Sequence, residues 1–360
     1  MLAAVGCSPN SGQIVIGLAG PMGDPLGVSE LHAARLAVDQ INAAGGINGR
    51  TLRLRVADDS GTENGAVVAA QKLHDDRAVV AVVGHVGSST TIAAAPIYGG
   101  GGAPVTVVSP TASSPGVSTT SPWVFRVCPS DASYGPALAR FAWGRLGARR
   151  IGILYLNDDY GRGVRASFAN EFTRLGGVVV EEDPFLSSTP SVEPYLSRMR
   201  ARGVTALMLG ADVSAAGLVL RDLRSLGLPW PVVGSDAMVG IEAQATLAEG
   251  VHLSTAYLAD NPGDKNAAFV LDYFRATKGE RPNYVAGLTF DAVRLLAQAI
   301  SAVGPDRRAI RDYLAAVGGQ RPAFEGVTGR IAFDSTGDVP AKPVAMAVVR
   351  AGRLVAEVAR

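Results

Sequence analysis

Cysteine and histidine are scarce: two Cys, Cys7 and Cys128, and four His in 360 residues. Two cysteines make no disulfide framework, although pairing between them stays open. His32, His74, His85 and His252 are scattered, and none shows the i, i+4 spacing of a helical zinc site. Excess charge is missing too: 33 Lys+Arg against 32 Asp+Glu leaves a net charge of +1. That balance provides no electrostatic footprint for nucleic acid or an anionic membrane. No apolar run approaches the ~20 residues of a membrane span. Gly17, Gly20 and Gly23 are spaced G-x-x-G-x-x-G, without the close first pair of a dinucleotide fingerprint. Neither a Walker A sequence nor a G-x-S-x-G nucleophile elbow occurs. His85 lies in a hydroxyl-rich loop but has no assignable acid or nucleophile beside it. These absences argue against an enzyme, a bound cofactor and a metal.

What is present is an apolar, glycine-rich chain, 48% hydrophobic with 43 Gly, long enough for two domains. Val79 to Tyr98 is its most informative stretch. Val79 to Val83 is a β-branched apolar run, too short for a helix, and reads as a buried strand. Gly84 to Thr90 follows with two glycines and three hydroxyls, and then an Ala/Ile-rich helical pattern. Ser88, Ser89 and Thr90 therefore fall at a helix N-terminus, where free N–H groups and the dipole favour a small anion. Hydroxyls add neutral donors there without the desolvation cost of a buried Arg. The other reading is a plain Ser/Thr cap with no ligand. A second hydroxyl-rich loop, Ser109-Pro-Thr-Ala-Ser-Ser-Pro115, follows the next strand, Val105 to Val108, and favours the ligand.

The rest of the chain keeps the same rhythm. Ile14 to Leu18 is a strand, Gly20 to Gly27 a loop, and a helix begins near Ser29 or Glu30. Gly45-Gly46 stops it. Leu52, Leu54 and Val56 alternate with Arg53 and Arg55, as on a sheet edge. A second α/β series runs from Trp123 to Tyr257, with strands at Ile151–Leu156, Val178–Glu181, Val204–Leu209 and Pro231–Val233 and a final helix near Glu242 to Ala248. Helical patterns at 265–278, 284–303 and 306–317 precede strands near 326–333, 343–350 and 353–358. Alternating strands and helices imply parallel sheets with right-handed crossovers, here in two lobes. Near the start, Ala4-Val-Gly-Cys7 resembles a bacterial lipobox, which would lipidate Cys7 ahead of a polar tether.

Several segments resemble one family in order and spacing: Ile14-Val-Ile-Gly-Leu-Ala-Gly-Pro-Met-Gly, Ala37-Val-Asp-Gln-Ile-Asn-Ala-Ala-Gly-Gly-Ile-Asn-Gly-Arg, and Gly84-His-Val-Gly-Ser-Ser-Thr-Thr. Asp159-Tyr-Gly-Arg-Gly, Val233-Gly-Ser-Asp and Phe333-Asp-Ser-Thr-Gly-Asp complete the set. From about Gln13 to its C-terminus the chain resembles the type I periplasmic binding proteins of the leucine/isoleucine/valine-binding family of ABC importers. The resemblance implies an α/β fold of two Rossmann-like lobes joined by a three-segment hinge, with a ligand cleft between them. Crossings are expected near Val127 to Ser130, Tyr257 to Pro262 and Phe333 to Gly337. Residues 1–12 would be the lipobox-like start and tether, 13–127 plus 262–333 lobe one, and 128–261 plus 334–360 lobe two. Strand C-termini would face the cleft.

Matched position by position, the resemblance puts Ser88 and Ser113 on a ligand carboxylate, with Ser89 beside them. Thr111 would offer its carbonyl to the ligand ammonium, Tyr160 would be the cleft tyrosine of lobe two, and Asp236 the ammonium-binding acid. The alternatives are local: Ser113 in an ST-turn and Asp236 as a helix cap. Leu26 stands where the leucine-binding member has a pocket tyrosine, and Val285, beside Tyr284, where it has a phenylalanine. Asp212 replaces a further cleft tyrosine, and either caps the helix starting near Ser214 or faces the ligand. The amino acid end of the site is kept and the side-chain end is not. The implied function is an extracytoplasmic solute-binding lipoprotein, periplasmic or at the cell surface, that delivers an amino acid or close zwitterionic analogue to a permease/ATPase complex. The alternative is a ligand-sensing receptor or regulator module of the same fold for amides or other small polar metabolites.

Overall fold

The computed structural model describes residues 12–357; the lipobox motif with Cys7 lies outside the described residues. Strands β1 (Ile14–Gly20), β2 (Leu52–Asp58), β3 (Val79–Gly84), β4 (Thr106–Ser109) and β5 (Val124–Arg126) form one parallel sheet in the order β2-β1-β3-β4-β5. Helices α1 (Pro25–Ala43), α2 (Glu63–Asp75), α3 (Ser88–Tyr98) and the short α4 (Val117–Thr120) connect them. β3 is buried at every residue because helices cover both faces of the sheet, as its continuous valine run requires. β2 takes the edge, where Arg53 and Arg55 point outward.

The chain then enters a second sheet through α5 (Asp131–Gly144), β6 (Arg150–Leu156), α6 (Asp159–Arg174), β7 (Val178–Phe185), α7 (Glu193–Ala201), β8 (Ala206–Gly210), α8 (Val213–Ser225), β9 (Val232–Gly234) and β10 (His252–Thr255). It returns to the first sheet with α9 (Asp264–Ala276), α10 (Tyr284–Val303), α11 (Arg307–Ala316) and the hairpin β11 (Phe324–Gly326)–β12 (Gly329–Ile331). It crosses once more to add β13 (Ala345–Arg350) and β14 (Arg353–Ala356) to the second sheet. That sheet has the order β14-β13-β10-β9-β8-β6-β7, parallel except for the β13–β14 edge. Two helix-flanked sheets thus form two lobes with three chain segments running between them, the architecture that the resemblance implies.

α10 packs against α1, β3 and β4, which is why three helices late in the sequence belong physically to the first sheet. Among the described residues α10 is the one helix long and apolar enough to cross a membrane, and 78% of its apolar window is buried in protein. Cys128 is buried with a free thiol, and burial pushes that thiol well above its usual range.

Three elements differ from the sequence reading. The first helix begins at Pro25 rather than near Ser29, because Asp24 caps it by accepting the Leu26 N–H at 2.8 Å and Pro suits its first turn. The expected helix at 242–248 is a 3-10 segment, Ile241–Leu247, interrupted at Ala245. The expected strand at 326–333 is instead a hairpin. The Asp291 carboxylate builds its turn by accepting the Val327 and Thr328 N–H groups, each at 2.8 Å. Gly326 is needed there, since a Cβ would stand 2.2 Å from Asp291 Oδ2.

Candidate functional site

The β3–α3 loop ends on Gly87, which provides no side-chain cap to α3, so Ser88 and Ser89 open the helix with first-turn N–H groups unclaimed by a capping side chain. Thr90 and Thr91 turn back to donate to the Gly87 carbonyl at 2.9 and 2.7 Å; they serve the helix start. The second hydroxyl loop is zipped to the first. Thr111 Oγ1 donates to the Val86 carbonyl at 2.8 Å, Ser109 Oγ to that of His85 at 2.7 Å, and Ser114 N–H to Ser88 Oγ at 3.1 Å. Ser113 is 1% exposed and its hydroxyl completes no hydrogen bond. A buried hydroxyl without a partner costs roughly 1–3 kcal/mol, which a ligand would recover.

Opposite these loops stand groups from the second sheet and its helices. Asp236 follows β9, is 1% exposed and accepts from Ser235 Oγ at 3.0 Å. The half-buried Tyr160, in the first turn of α6, donates to it over a long 3.5 Å. Burial pushes the Asp236 carboxyl up to about 7, against the opposing pull of hydrogen bonds from Ser235, Ala237 N–H and Tyr160. Asp236 is thus a buried acid at the start of a short 3-10 turn with Ser235 before it, not the cap of a full helix.

Two groups escaped the sequence reading. Asp131 opens α5, is fully buried, and neither of its oxygens has a partner. Burial, then the nearby Asp236 charge, drive its carboxyl well above the usual range; Ser113 lies near enough to pull it partly down, though without completing a bond. One turn on, Tyr134 is fully buried with its hydroxyl unpartnered. In sequence, Ser130-Asp131 looks like an ordinary helix start, and Ser130 does cap α5 by accepting the Ala132 N–H. Only the orphaned oxygens distinguish this acid from a helix-dipole partner.

The lobes meet around these groups. Asp159 N–H donates to Ser89 Oγ at 3.2 Å, and Asp131 N–H to the Ser113 carbonyl at 2.8 Å. A Cβ on Gly163 would come within 3.1 Å of Pro115 and 2.7 Å of Asp131 Oδ2, so α6 approaches the second loop as closely as glycine permits. Tyr284, first residue of α10, is buried, and Leu26 sits half-buried in the first turn of α1. Asp212 caps α8, accepting the Ala215 N–H at 2.8 Å. Asp212→Asn is therefore expected to leave the rank order of a ligand panel unchanged and to cost a few tenths of a kcal/mol in stability. A shift toward neutral amino acids in the variant would put Asp212 on the ligand instead.

His85 is fully buried behind the loop, with Nδ1 2.6 Å from Asp59 Oδ2 and Nε2 3.2 Å from the Tyr98 hydroxyl. Both ring nitrogens are engaged away from the serines. Among the described residues no group of three His, Cys, Asp or Glu could hold a metal ion. The arrangement suits a small zwitterion: helix N-terminus and serine hydroxyls on one side, buried carboxyls on the other.

The chain matches the periplasmic binding protein family over residues 14–353. It is 30% identical over 335 residues to the leucine-, isoleucine-, valine-, threonine- and alanine-binding protein of Pseudomonas aeruginosa, covering 91% of this chain and 87% of that protein. Leu/Ile/Val-binding protein homolog 1 of Brucella abortus is 26% identical, with 91% and 87% covered. Among solved structures, the branched-chain amino acid transporter substrate binding protein LivJ of Streptococcus pneumoniae, in complex with isoleucine, has a TM-score of 0.86. It is 26% identical, with 96% of this chain and 99% of that one covered. A leucine binding protein of Thermotoga maritima also scores 0.86 at 27% identity, covering 96% and 98%.

Proposed function

The chain belongs to the periplasmic binding protein family, and from that premise we propose that it is the extracytoplasmic substrate-binding component of an ABC importer, taking an amino acid or close zwitterionic analogue. One observation carries the reading: the unpartnered hydroxyl of Ser113, with the unpartnered Asp131 carboxyl beside it, and the α3 N-terminus lie buried where the two lobes meet, with the buried acid Asp236 supplied by the second lobe. The ligand carboxylate lies at Ser88, Ser89 and Ser113, and its ammonium between the Thr111 carbonyl, Asp236 and Asp131. Tyr160, Tyr134 and Tyr284 wall the cavity, and Leu26 stands at its side-chain end. The relatives named for leucine, isoleucine and valine support the ligand class.

The protein works by closure, not catalysis. The hydroxyl loops lack a base, since both nitrogens of His85 are held by Asp59 and Tyr98. Lobe one comprises residues to about 127 plus 262–333, and the three segments between the sheets are its hinge. Cleft burial requires both lobes, so bending there opens the site and closing commits the ligand. Its partners are a permease and its ATPase, and its place is the periplasm or the cell surface, with Cys7 as the lipid anchor.

Thermal shift against the free amino acids, NAD and ATP tests this. A ligand at ~100 times its dissociation constant stabilises by about 2.7 kcal/mol, so at least one amino acid should raise the melting temperature while neither nucleotide does. That ligand should also shrink the radius of gyration in solution scattering at constant helical content. A saturating nucleotide response with none to any amino acid would sink the proposal.

A further inference from the structure

The last residue of β5, Arg126, is 1% exposed, and its donors are spent in two directions. Nη1 donates to three successive carbonyls of the second hydroxyl loop: Ala112 at 3.2 Å, Ser113 at 2.9 Å and Ser114 at 2.7 Å. Nε and Nη2 form a fork onto Asp338, each at 2.6 Å, and Nη2 also reaches Ser118 Oγ at 2.7 Å. Asp338 lies on the third segment between the sheets. That segment is itself folded tight: Asp338 N–H donates to Asp334 Oδ1 at 3.0 Å and Asp334 N–H to the Asp338 carbonyl at 2.8 Å. Its backbone also seats on β5, with Arg126 N–H donating to the Gly337 carbonyl at 3.0 Å. Gly337 has φ +80°, and a Cβ there would stand 2.7 Å from the Val124 carbonyl oxygen, so the close approach depends on glycine.

We infer that Arg126 and Asp338 form a strap that presents the second hydroxyl loop to the ligand and couples its conformation to the third hinge segment. The inference rests on the transport reading for its ligand and on these distances for its mechanics. Three carbonyls gathered on one nitrogen hold the acceptors of residues 112–114 on Arg126, which leaves the Ser113 hydroxyl free for the ligand. A guanidinium can do this because its planar fork serves two partners at fixed angles, whereas an ammonium is a single point of charge. Asp338 supplies the counter-charge without which a buried Arg would be costly. Through this one guanidinium the second hydroxyl loop and the point where the third segment leaves β5 share a single anchor, so the loop and the hinge hold their positions together. Both are positioning residues, since their side-chain bonds run to each other, to Ser118 and to the loop backbone rather than to the side chains assigned to the ligand.

The test compares the wild-type protein with Asp338→Asn and Arg126→Lys. Amide hydrogen exchange is followed in 109–115 and in β7, far from the strap, and L-leucine binding is measured by calorimetry. Losing a charge-assisted pair should speed exchange in 109–115 and weaken L-leucine by about tenfold or more, with β7 unchanged. Arg126→Lys should do the same, so the result does not hang on one variant folding well. Faster exchange confined to 334–338, with 109–115 at the wild-type rate, overturns the strap; so does unchanged L-leucine affinity in both variants. A wild-type protein that binds no amino acid fails the transport reading instead, and the exchange rates in 109–115 still decide the strap.

Discussion

Asp236→Ala is expected to weaken amino acid binding by on the order of 2–5 kcal/mol, roughly 30-fold to several thousandfold. The carboxylate is 1% exposed, so a ligand ammonium brought to it sheds its water and depends on this charge for compensation. Neither Tyr160 nor Ser235, its hydrogen-bond partners, can replace it, because each is neutral. Asp131 remains nearby and holds the loss toward the lower end of that range. The same substitution removes like-charge repulsion between the two acids, so the ligand-free variant should melt no lower than the wild type. A binding loss without a stability loss separates ligand contact from damage to the fold. Calorimetry that returns wild-type affinity for Asp236→Ala would mean the ammonium lies elsewhere.

The second large effect is on pH. Burial raises the Asp236 carboxyl from the ordinary 3.8 to about 7, so in the free protein it is mostly protonated in mildly acidic solution. An ammonium prefers the carboxylate, and binding must then expel a proton. Affinity should therefore fall by up to about tenfold for each pH unit below 7, and level off above it. Stability of the ligand-free protein runs the opposite way. A folded-state value above the unfolded one contributes stability that is present in full below about 3.8 and lost as pH rises through about 7. Asp131, shifted in the same direction, adds to that trend. Melting temperatures without ligand should decline across this window while affinity climbs. Titrations near pH 6 in two buffers of different ionisation heat would reveal the released proton. An affinity independent of pH between about 5.5 and 8 would contradict the assignment of Asp236 to the ammonium.

Much of the architecture was readable in local patterns. The valine run of β3, the alternation of β2 and the helical spacing in α10 each encode their own burial, since period and composition decide which faces can leave water. Boundaries were less legible. Asp24-Pro25 starts α1 earlier than the apolar pattern implies, because a cap and a proline need no apolar partner to begin a helix. The hairpin after α11 was invisible because the Asp291 carboxylate that folds its turn lies 36 and 37 residues before the N–H groups it accepts.

Taken by itself, the sequence determined the α/β alternation, the two hydroxyl loops after successive strands, and an acid in Gly234-Ser-Asp236, all consequences of neighbours within a few residues. It left Asp212 between cap and contact, and it concealed Asp131 and Tyr134 entirely. Tertiary structure shows Asp212 capping α8 through the Ala215 N–H, and the absence of any partner marks Asp131. Whether a polar side chain is satisfied depends on what the rest of the chain brings within about 3 Å of it. The same holds for Arg126, whose counter-ion lies 212 residues away and whose role exists only once the third segment has returned to β5.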